Sequence, residues 1–310
     1  MKRVVGYSAF LLAATLACGG EPGSEPAERV ERPAFPGARA FELIEAQLAF
    51  GPRVPGTPGH AAQLEWMAGQ LAAHADTVIV DRFRYTTTTG DTLPLANVLA
   101  RFNAANPDRL LFLAHWDTRP ISDQSTNPED RDTPVPGAND GASGVAVLMA
   151  LGELFSVQPP PVGIDLLMVD GEDYGPTTAD MFIGSERYAE QPLGGQPRYA
   201  VLLDMVGDRD PGFPVEGYSS RYAPRVVQRV WGIARDLGYG RLFPMTVRPP
   251  IQDDHVPLNE AGIPTVNIID FEYGPGNSLW HTPNDVAANV SPATLEVVGE
   301  VVAEIAYRGG

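Results

Sequence analysis

Apolar residues along the chain form two kinds of pattern, which alternate from about residue 41 onwards. Short unbroken apolar runs predict strands buried on both faces, whereas apolar residues three or four positions apart predict helices. The strand-like runs are TVIVDRF, ANVLARF, RLLFLAH, GIDLLMVD, YAVLLD and PTVNIID. The helical patterns are FELIEAQLAF, a segment ending near Ala73, SGVAVLMALGELF, RYAPRVVQRVWGIARDLG and PATLEVVGEVVAEIAY.

This alternation of strands and helices predicts an α/β fold with helices on both faces of a sheet. A chain of 310 residues is long enough to bury a large apolar core. This part of the sequence has no internal repeat and no second segment of distinct amino-acid composition. We therefore predict one domain over residues 36–310.

The N-terminal stretch MKRVVGYSAFLLAATLACGG has a basic start, a short apolar run and small residues before Cys18. These features are typical of an export signal. TLAC followed by glycine resembles a bacterial lipoprotein box, in which Cys18 carries the lipid, and ordinary cleavage is the alternative. We predict a signal over residues 1–18, a flexible linker rich in Pro, Glu and Gly over 19–35, and export to the periplasm or cell envelope, lipid-anchored or secreted.

Charge and composition exclude several kinds of partner and chemistry. The formal net charge is −17 and the arginines are scattered, so we expect no nucleic-acid partner and no membrane contact except through a lipid at Cys18. Lys2 is the only lysine and lies in the predicted signal, which removes lysine chemistry from the mature chain. Cys18 is the only cysteine, so an internal disulfide is impossible.

Acidic and histidine side chains follow the predicted strands, where ligands collect in sheets of this kind. Each has an ordinary interpretation as well, since Asp in an NDG turn caps helices and loop acids are commonly solvated. Together, however, these segments supply what a site at the end of a sheet needs. The residues concerned are His115, Asp117, Asp140, Glu172, Asp173, Asp204 and Asp270.

Three of the polar groups suit a catalytic zinc site. Asp140, Asp173 and His281 offer two oxygen ligands and one nitrogen ligand, with a fourth position open. Glu172 is next to Asp173 on an irregular loop, where neighbouring side chains diverge, so one carboxylate can bind metal while the other moves protons. The chain has no HExxH spacing, so the spacing alone is a weak argument for a metal.

An ordered set of motifs resembles the metal-motif series of the zinc exopeptidase superfamily, which includes two-zinc aminopeptidases and the glutaminyl-peptide cyclotransferases, or glutaminyl cyclases. FGPRVPGTPGH, QDDHVPLNEAGIP and the tryptophan of WHT are similar to the cyclases in particular. The resemblance runs from about residue 41 to the C-terminus. It implies a three-layer α/β/α sandwich with a mixed, mostly parallel central sheet. The superfamily motifs are HWDT (115–118), GANDGASGVAVL (137–148), DGED (170–173), LLDMVGD (202–208) and WHT (280–282).

The resemblance to the cyclases implies a reaction and a set of roles. An N-terminal glutamine of a peptide or protein becomes pyroglutamate, ammonia is released, and one zinc ion is required. The implied roles are metal binding by Asp140, Asp173 and His281, proton transfer by Glu172, hydrogen bonding around Glu172 by Asp204 and Asp253, and contact with the glutaminyl side chain by Trp280.

Two alternatives stay open. In a zinc aminopeptidase, His115 and Asp204 hold a second zinc, Asp140 bridges both ions and Glu172 activates a metal-bound water that removes N-terminal residues. The other alternative is a metal-free lipoprotein that binds peptides in the same cleft. Intact acids and histidines at every metal position disfavour that alternative.

Some positions depart from the animal cyclases. Asn267 stands where those enzymes have histidine, Asp173 where they have glutamate, and YGPTTADMF lacks the tryptophan that they have after the paired acids. A shorter Asp side chain still ligates zinc but shifts the metal or the loop. We expect the enzyme to be a monomer.

Overall fold

A computed structural model describes residues 1–2 and 31–310 of the chain. Cys18, nearly all of the predicted signal and most of the predicted linker lie outside the described residues. Within them, no helix is both long and apolar enough to cross a bilayer.

Strands and helices alternate through the part of the chain from residue 31 onwards. The strands are β1 (Thr77–Thr86), β2 (Thr92–Phe102), β3 (Arg109–His115), β4 (Gly163–Val169), β5 (Ala200–Asp204) and β6 (Thr265–Ile269). The helices are α1 (Gly37–Leu48), α2 (Pro58–Ala72), α3 (Ala142–Val157), α4 (Ile183–Glu190), α5 (Gly217–Tyr222), α6 (Pro224–Asp236), α7 (His255–Glu260) and α8 (Pro292–Tyr307).

The six strands form one mixed sheet in the order β1-β2-β4-β3-β5-β6. β3 is parallel to β4 and β5, and β5 is parallel to β6. β2 is antiparallel to both of its neighbours, β1 and β4. Because only β2 runs against the other strands, the sheet is mostly parallel, as the motifs implied.

Helices cover both faces of the sheet. Phe112 of β3 belongs to the large apolar core with residues of α1, α3, α6 and α8. Its neighbours Leu111 and Leu113 point to the opposite face, where they cluster with Tyr188 of α4 and Leu258 of α7. Since both faces of the central strands are buried, the predicted α/β fold with a covered sheet is confirmed.

The six predicted strands and the main predicted helices are present, with three differences. β1 lies at the sheet edge and is half-exposed, unlike β6, the other edge strand, whose residues are all buried. The helix predicted from Arg221 is two helices, since Ala223 is non-helical and Pro224 opens α6. The short helices α4 and α7 carry polar residues without a clear apolar period, so the pattern did not predict them.

Helix α3 lies unusually close to the sheet at Gly144. A Cβ placed there would lie 2.2 Å from the Leu203 carbonyl oxygen and 2.8 Å from the Ala114 Cβ. Glycine therefore allows the first turn of α3 to contact β3 and β5 directly. Asp140 precedes this turn, so the same contact places Asp140 at the ends of the two strands.

Substitution of Gly144 tests this close packing. Gly144→Ala should lower the free energy of unfolding by about 1–3 kcal/mol, because the added methyl group meets backbone that cannot rotate away. Gly232→Ala in α6 is the matched control, since the nearest atom to its added Cβ would be 3.9 Å away. That change should raise stability by about 0.5–1 kcal/mol. Urea denaturation measures both, and equal effects would contradict the close contact.

Candidate active site

Five polar side chains meet at the carboxyl edge of the parallel strands. His115 is the last residue of β3 and Asp204 the last residue of β5. Asp140 lies in the loop before α3, Asp173 follows β4, and His281 lies between β6 and α8. All five are buried. The chain thus brings distant acids and imidazoles to the position where α/β sheets bind ligands.

These side chains form two groups that share Asp140. One group is Asp140, Asp173 and His281, and the other is Asp140, His115 and Asp204. Within each group, the possible ligand atoms lie within 4.8 Å of one another. His281 Nε2 is 3.3 Å from Asp173 Oδ1 and 3.5 Å from Asp140 Oδ2. His115 Nε2 is 3.1 Å from Asp140 Oδ1 and 3.2 Å from Asp204 Oδ1. Asp140 therefore presents one oxygen to each imidazole.

The donor set fits zinc. Imidazole nitrogen and carboxylate oxygen are ordinary zinc ligands. Buried carboxylates of like charge are unfavourable unless a cation or proton neutralises them. A metal ion between these side chains would supply that charge. The arrangement accommodates one ion in the group predicted for the cyclase and a second in the group predicted for the aminopeptidase.

Glu172 lies beside this cluster and is itself buried. Its Oε2 is 3.8 Å from His115 Nδ1. Burial raises the pKa of Glu172 well above its usual range, and the charges of Asp173 and Asp253 add to this effect despite the opposing attraction of His115. The backbone N–H groups of Glu172 and Asp173 donate to the Asp117 carboxylate at 3.1 and 3.2 Å, which fixes the loop.

Asp204 and Asp253 occupy the same buried region but make different contacts. Asp204 approaches His115, whereas Asp253 accepts a hydrogen bond from Asn267 Nδ2 at 2.6 Å. Burial and the charge of Asp204 raise the pKa of Asp253 well above its usual range. In residues 31–310 no hydrogen bond joins either acid directly to the Glu172 carboxylate. The charge of Asp253 acts on Glu172, and the charge of Asp204 acts on Asp253.

Trp280 stacks on the imidazole of His281. The ring centroids are 3.9 Å apart and the ring planes differ by 26°. Phe271 contacts the indole from another side, at a centroid distance of 5.1 Å, and Met205 and Tyr273 belong to the apolar cluster against which it packs. Trp280 is only half-buried. The tryptophan thus packs against a possible metal ligand and keeps part of its surface open.

The sequence did not predict several residues that hold the site together. Asp285 accepts hydrogen bonds from the backbone N–H groups of Asn139 and Asp140 and from the Tyr273 hydroxyl. Burial, with the nearby charge of Asp140, raises the pKa of Asp285 to about 7. The only sequence signal was its position four residues after His281. Asp285 connects the loops that carry Asp140 and His281.

Arg119 and Asp123 are two further residues that the sequence did not single out. Arg119 donates to the Asp173 carboxylate at 2.9 Å, and Asp123 faces His281. Asp270, in contrast, has the ordinary role considered for a loop acid. It accepts hydrogen bonds from the backbone N–H groups of Gly212 and Glu272 and belongs to neither metal-binding group.

Comparison with known proteins places this site in a family. The sequence profile of peptidase family M28 matches residues 97–306. The chain therefore belongs to this family. A glutaminyl-peptide cyclotransferase-like protein from Bos taurus is 25% identical over 288 residues, which cover 81% of this chain and 70% of that protein.

Two solved structures from Bacteroides thetaiotaomicron are similar over nearly their whole length. A glutaminyl cyclase bound to N-acetylhistamine is 34% identical with a TM-score of 0.86, covering 89% of this chain and 99% of that one. A leucine aminopeptidase precursor is 35% identical with a TM-score of 0.86, covering 90% and 99%.

These similarities confirm the resemblance drawn from the motifs and the zinc exopeptidase fold. The cyclotransferase relatives and the glutaminyl cyclase structures support an enzyme of that class. Membership of peptidase family M28 is less specific, since it also accommodates the aminopeptidase alternative.

Metal removal tests the assignment of the site. A chelator should lower the thermal midpoint of a zinc-loaded chain by about 5–10 °C, because zinc at 100 times its dissociation constant stabilises the native state by about 2.7 kcal/mol. Asp140→Asn removes a ligand common to both groups, so the chelator should leave the midpoint of that variant nearly unchanged. A similar drop in both proteins would place the bound metal elsewhere.

Proposed function

We propose that this chain converts the N-terminal glutamine of peptides or proteins to pyroglutamate and releases ammonia, with zinc bound by Asp140, Asp173 and His281. The main support is Trp280, a half-buried indole stacked on His281, in a site that also holds the buried carboxylate of Glu172 next to Asp173. Similarity to glutaminyl cyclases supports the same activity. A flat apolar wall next to a metal-binding group suits a side chain whose amide must approach the metal.

The reaction needs little beyond orientation and proton transfer. The α-amine of the substrate attacks the γ-amide carbonyl carbon of the same residue, so a C–N bond forms within one molecule and proximity is built in. The original γ-amide C–N bond breaks and its nitrogen leaves as ammonia. The amine loses one proton and the leaving nitrogen gains one.

Glu172 carries that proton in the proposed reaction. Its carboxylate accepts the proton from the α-amine, whose pKa in solution is about 7.7–8.0, and returns it to the leaving nitrogen. The raised pKa of Glu172 brings it towards that of the amine, which favours transfer in both directions. Asp117 holds the loop through two backbone hydrogen bonds, so Glu172 stays beside the metal-binding groups.

The metal and the aromatic wall have separate tasks. Zinc, when bound, supplies Lewis-acid polarisation of a carbonyl group. Trp280 orients the glutaminyl side chain and excludes water, which competes with the α-amine as a nucleophile. Asp140, Asp173 and His281 hold the ion next to that wall.

A metallo-aminopeptidase that binds two zinc ions is the second candidate function. It is favoured by one specific observation, the complete second group formed by His115, Asp140 and Asp204. Similarity to the leucine aminopeptidase precursor supports it as well. In that mechanism Glu172 would accept a proton from water instead of from an amine.

We further propose that the chain is exported to the periplasm or cell envelope. The basic, apolar and small-residue sequence before Cys18 supports this location. Lipidation of Cys18 would anchor the chain to a membrane, whereas ordinary cleavage would release it. We propose that it acts as a monomer on peptide or protein substrates.

Product masses separate the two enzymatic functions. The purified chain should remove ammonia from a peptide that begins with glutamine and leave the same peptide with leucine at its N-terminus unchanged, and it should contain about one zinc ion. Incubation of both peptides, followed by mass spectrometry and metal analysis, measures this. Release of free N-terminal residues with about two zinc ions per chain would instead establish the aminopeptidase.

Glu172→Gln tests the proton carrier. This variant should bind zinc as the wild type does but lose about 10²–10⁴-fold in kcat, because glutamine keeps the shape and cannot accept the proton. Steady-state kinetics and zinc content measure the two effects separately. Turnover near that of the wild type would show that another group moves the proton. As a contrast, Trp280→Ala should raise KM for glutaminyl peptides more than it affects zinc content, because the indole contacts the substrate as well as His281.

A further inference from the structure

A ring of alternating charges connects two of the metal-binding residues. Arg119 Nη1 donates to Asp173 Oδ1 at 2.9 Å. Its Nη2 and Nε donate to the two Asp123 oxygens at 2.7 and 3.1 Å. Asp123 Oδ1 is 3.4 Å from His281 Nδ1, and His281 Nε2 is 3.3 Å from Asp173 Oδ1. We call the pair formed by Arg119 and Asp123 the clamp.

The clamp is built into the protein and is more than a surface ion pair. The side chain of Arg119 is 6% exposed and that of Asp173 is 2% exposed, whereas Asp123, at the outer side of the clamp, is 29% exposed. Arginine cannot lose its charge, so a buried guanidinium needs carboxylate partners in fixed positions. Its planar fork engages both oxygens of Asp123, which gives that contact a defined direction.

The clamp segment also contacts the backbone of His281. His281 has a φ of +52°, a left-handed conformation that residues other than glycine rarely adopt. The backbone N–H of Gln124 donates to the His281 carbonyl at 3.3 Å. The segment from Arg119 to Gln124 therefore contacts the histidine through both its ring and its backbone.

We propose that Arg119 and Asp123 are positioning residues for the metal ion held by Asp140, Asp173 and His281. Arg119 fixes the orientation of the Asp173 carboxylate. Asp123 faces Nδ1 of His281, which leaves Nε2 directed towards the other ligands, as a carboxylate behind a metal-binding histidine does. This inference rests on the proposed function, because it concerns the same metal site.

The clamp supports only one of the two metal-binding groups. Arg119 contacts Asp173, whereas no arginine in the described part of the chain contacts Asp204. The carboxylates behind the two histidines lie at similar distances, 3.4 Å from His281 Nδ1 and 3.6 Å from His115 Nδ1. The group with Asp173 and His281 is therefore preorganised by an arginine on its carboxylate ligand, which the group with His115 and Asp204 lacks. The first metal ion should bind to the clamped group.

Removal of Arg119 has two opposite effects on metal binding. It deletes a positive charge that repels a cation, and it releases the Asp173 carboxylate from its fixed orientation. Asp123 already offsets most of the arginine charge, so orientation is the larger effect. If Arg119 mainly orients Asp173, Arg119→Met should bind zinc more weakly. If Arg119 acts mainly through its positive charge, which repels a cation, Arg119→Met should bind zinc more tightly.

Competition with a chromophoric chelator measures zinc affinity in the wild type, Arg119→Met, Asp123→Asn and a matched control. The control is Arg187→Met, because Arg187 also donates two hydrogen bonds to an aspartate, Asp81, at 2.6 and 2.8 Å but lies outside the site. Both clamp variants should bind zinc about 10–100-fold more weakly, and the control should bind as the wild type does. The double variant should lose less than the product of the single losses.

Metal rescue provides the second readout. At saturating zinc, both clamp variants should regain most of their turnover of a glutaminyl peptide, because the catalytic groups are still present. Asp123→Asn changes little in shape, and thermal unfolding checks that it is folded, so a result is available even if Arg119→Met is unstable.

The outcomes separate the two proposals. Unchanged or tighter zinc binding in the clamp variants would overturn the positioning role, and an equal loss in Arg187→Met would overturn it too. If the wild type binds zinc and cyclises glutaminyl peptides in those cases, only this inference fails. If the wild type binds no zinc, the proposed function fails with it.

Discussion

The carboxylate of Asp140 between two imidazoles is the interaction on which the site depends. One of its oxygens faces His115 and the other faces His281. Like charges from neighbouring acids surround it in a buried region, where each charge is unfavourable without a partner. The surrounding structure therefore holds together acids that would otherwise repel one another, and this arrangement is unfavourable unless a cation or a proton neutralises the charges.

Contacts with residues outside the two groups of possible metal ligands hold these acids in place. Asp117 holds the loop that carries Glu172 and Asp173, and Asp285 holds the loop that carries Asp140. Gly144 brings α3 against the sheet directly behind Asp140. Each support comes from a different segment of the chain. The geometry of the site is thus a property of the whole sheet edge and not of any single loop.

The apolar runs were enough to predict all six strands, because strands buried on both faces leave a strong and local signal and the half-exposed β1 still carries the apolar run TVIV. The short helices α4 and α7 left no such signal. The ligand groups could be predicted from their positions after strands and from the motif resemblance. Arg119 and Asp123 could not, since their importance comes from contacts with residues 54 and 158 positions away, and no local pattern encodes such contacts.

Trp280, the proposed pocket wall, stacks on His281, a proposed metal ligand. The two residues are also consecutive in the chain. A change that enlarges the pocket at residue 280 also alters the support of the imidazole at residue 281. The range of substrates is therefore difficult to change by mutation without disturbing the metal site. A new specificity in this protein would therefore have to arise at positions that contact the substrate but do not support the imidazole of His281.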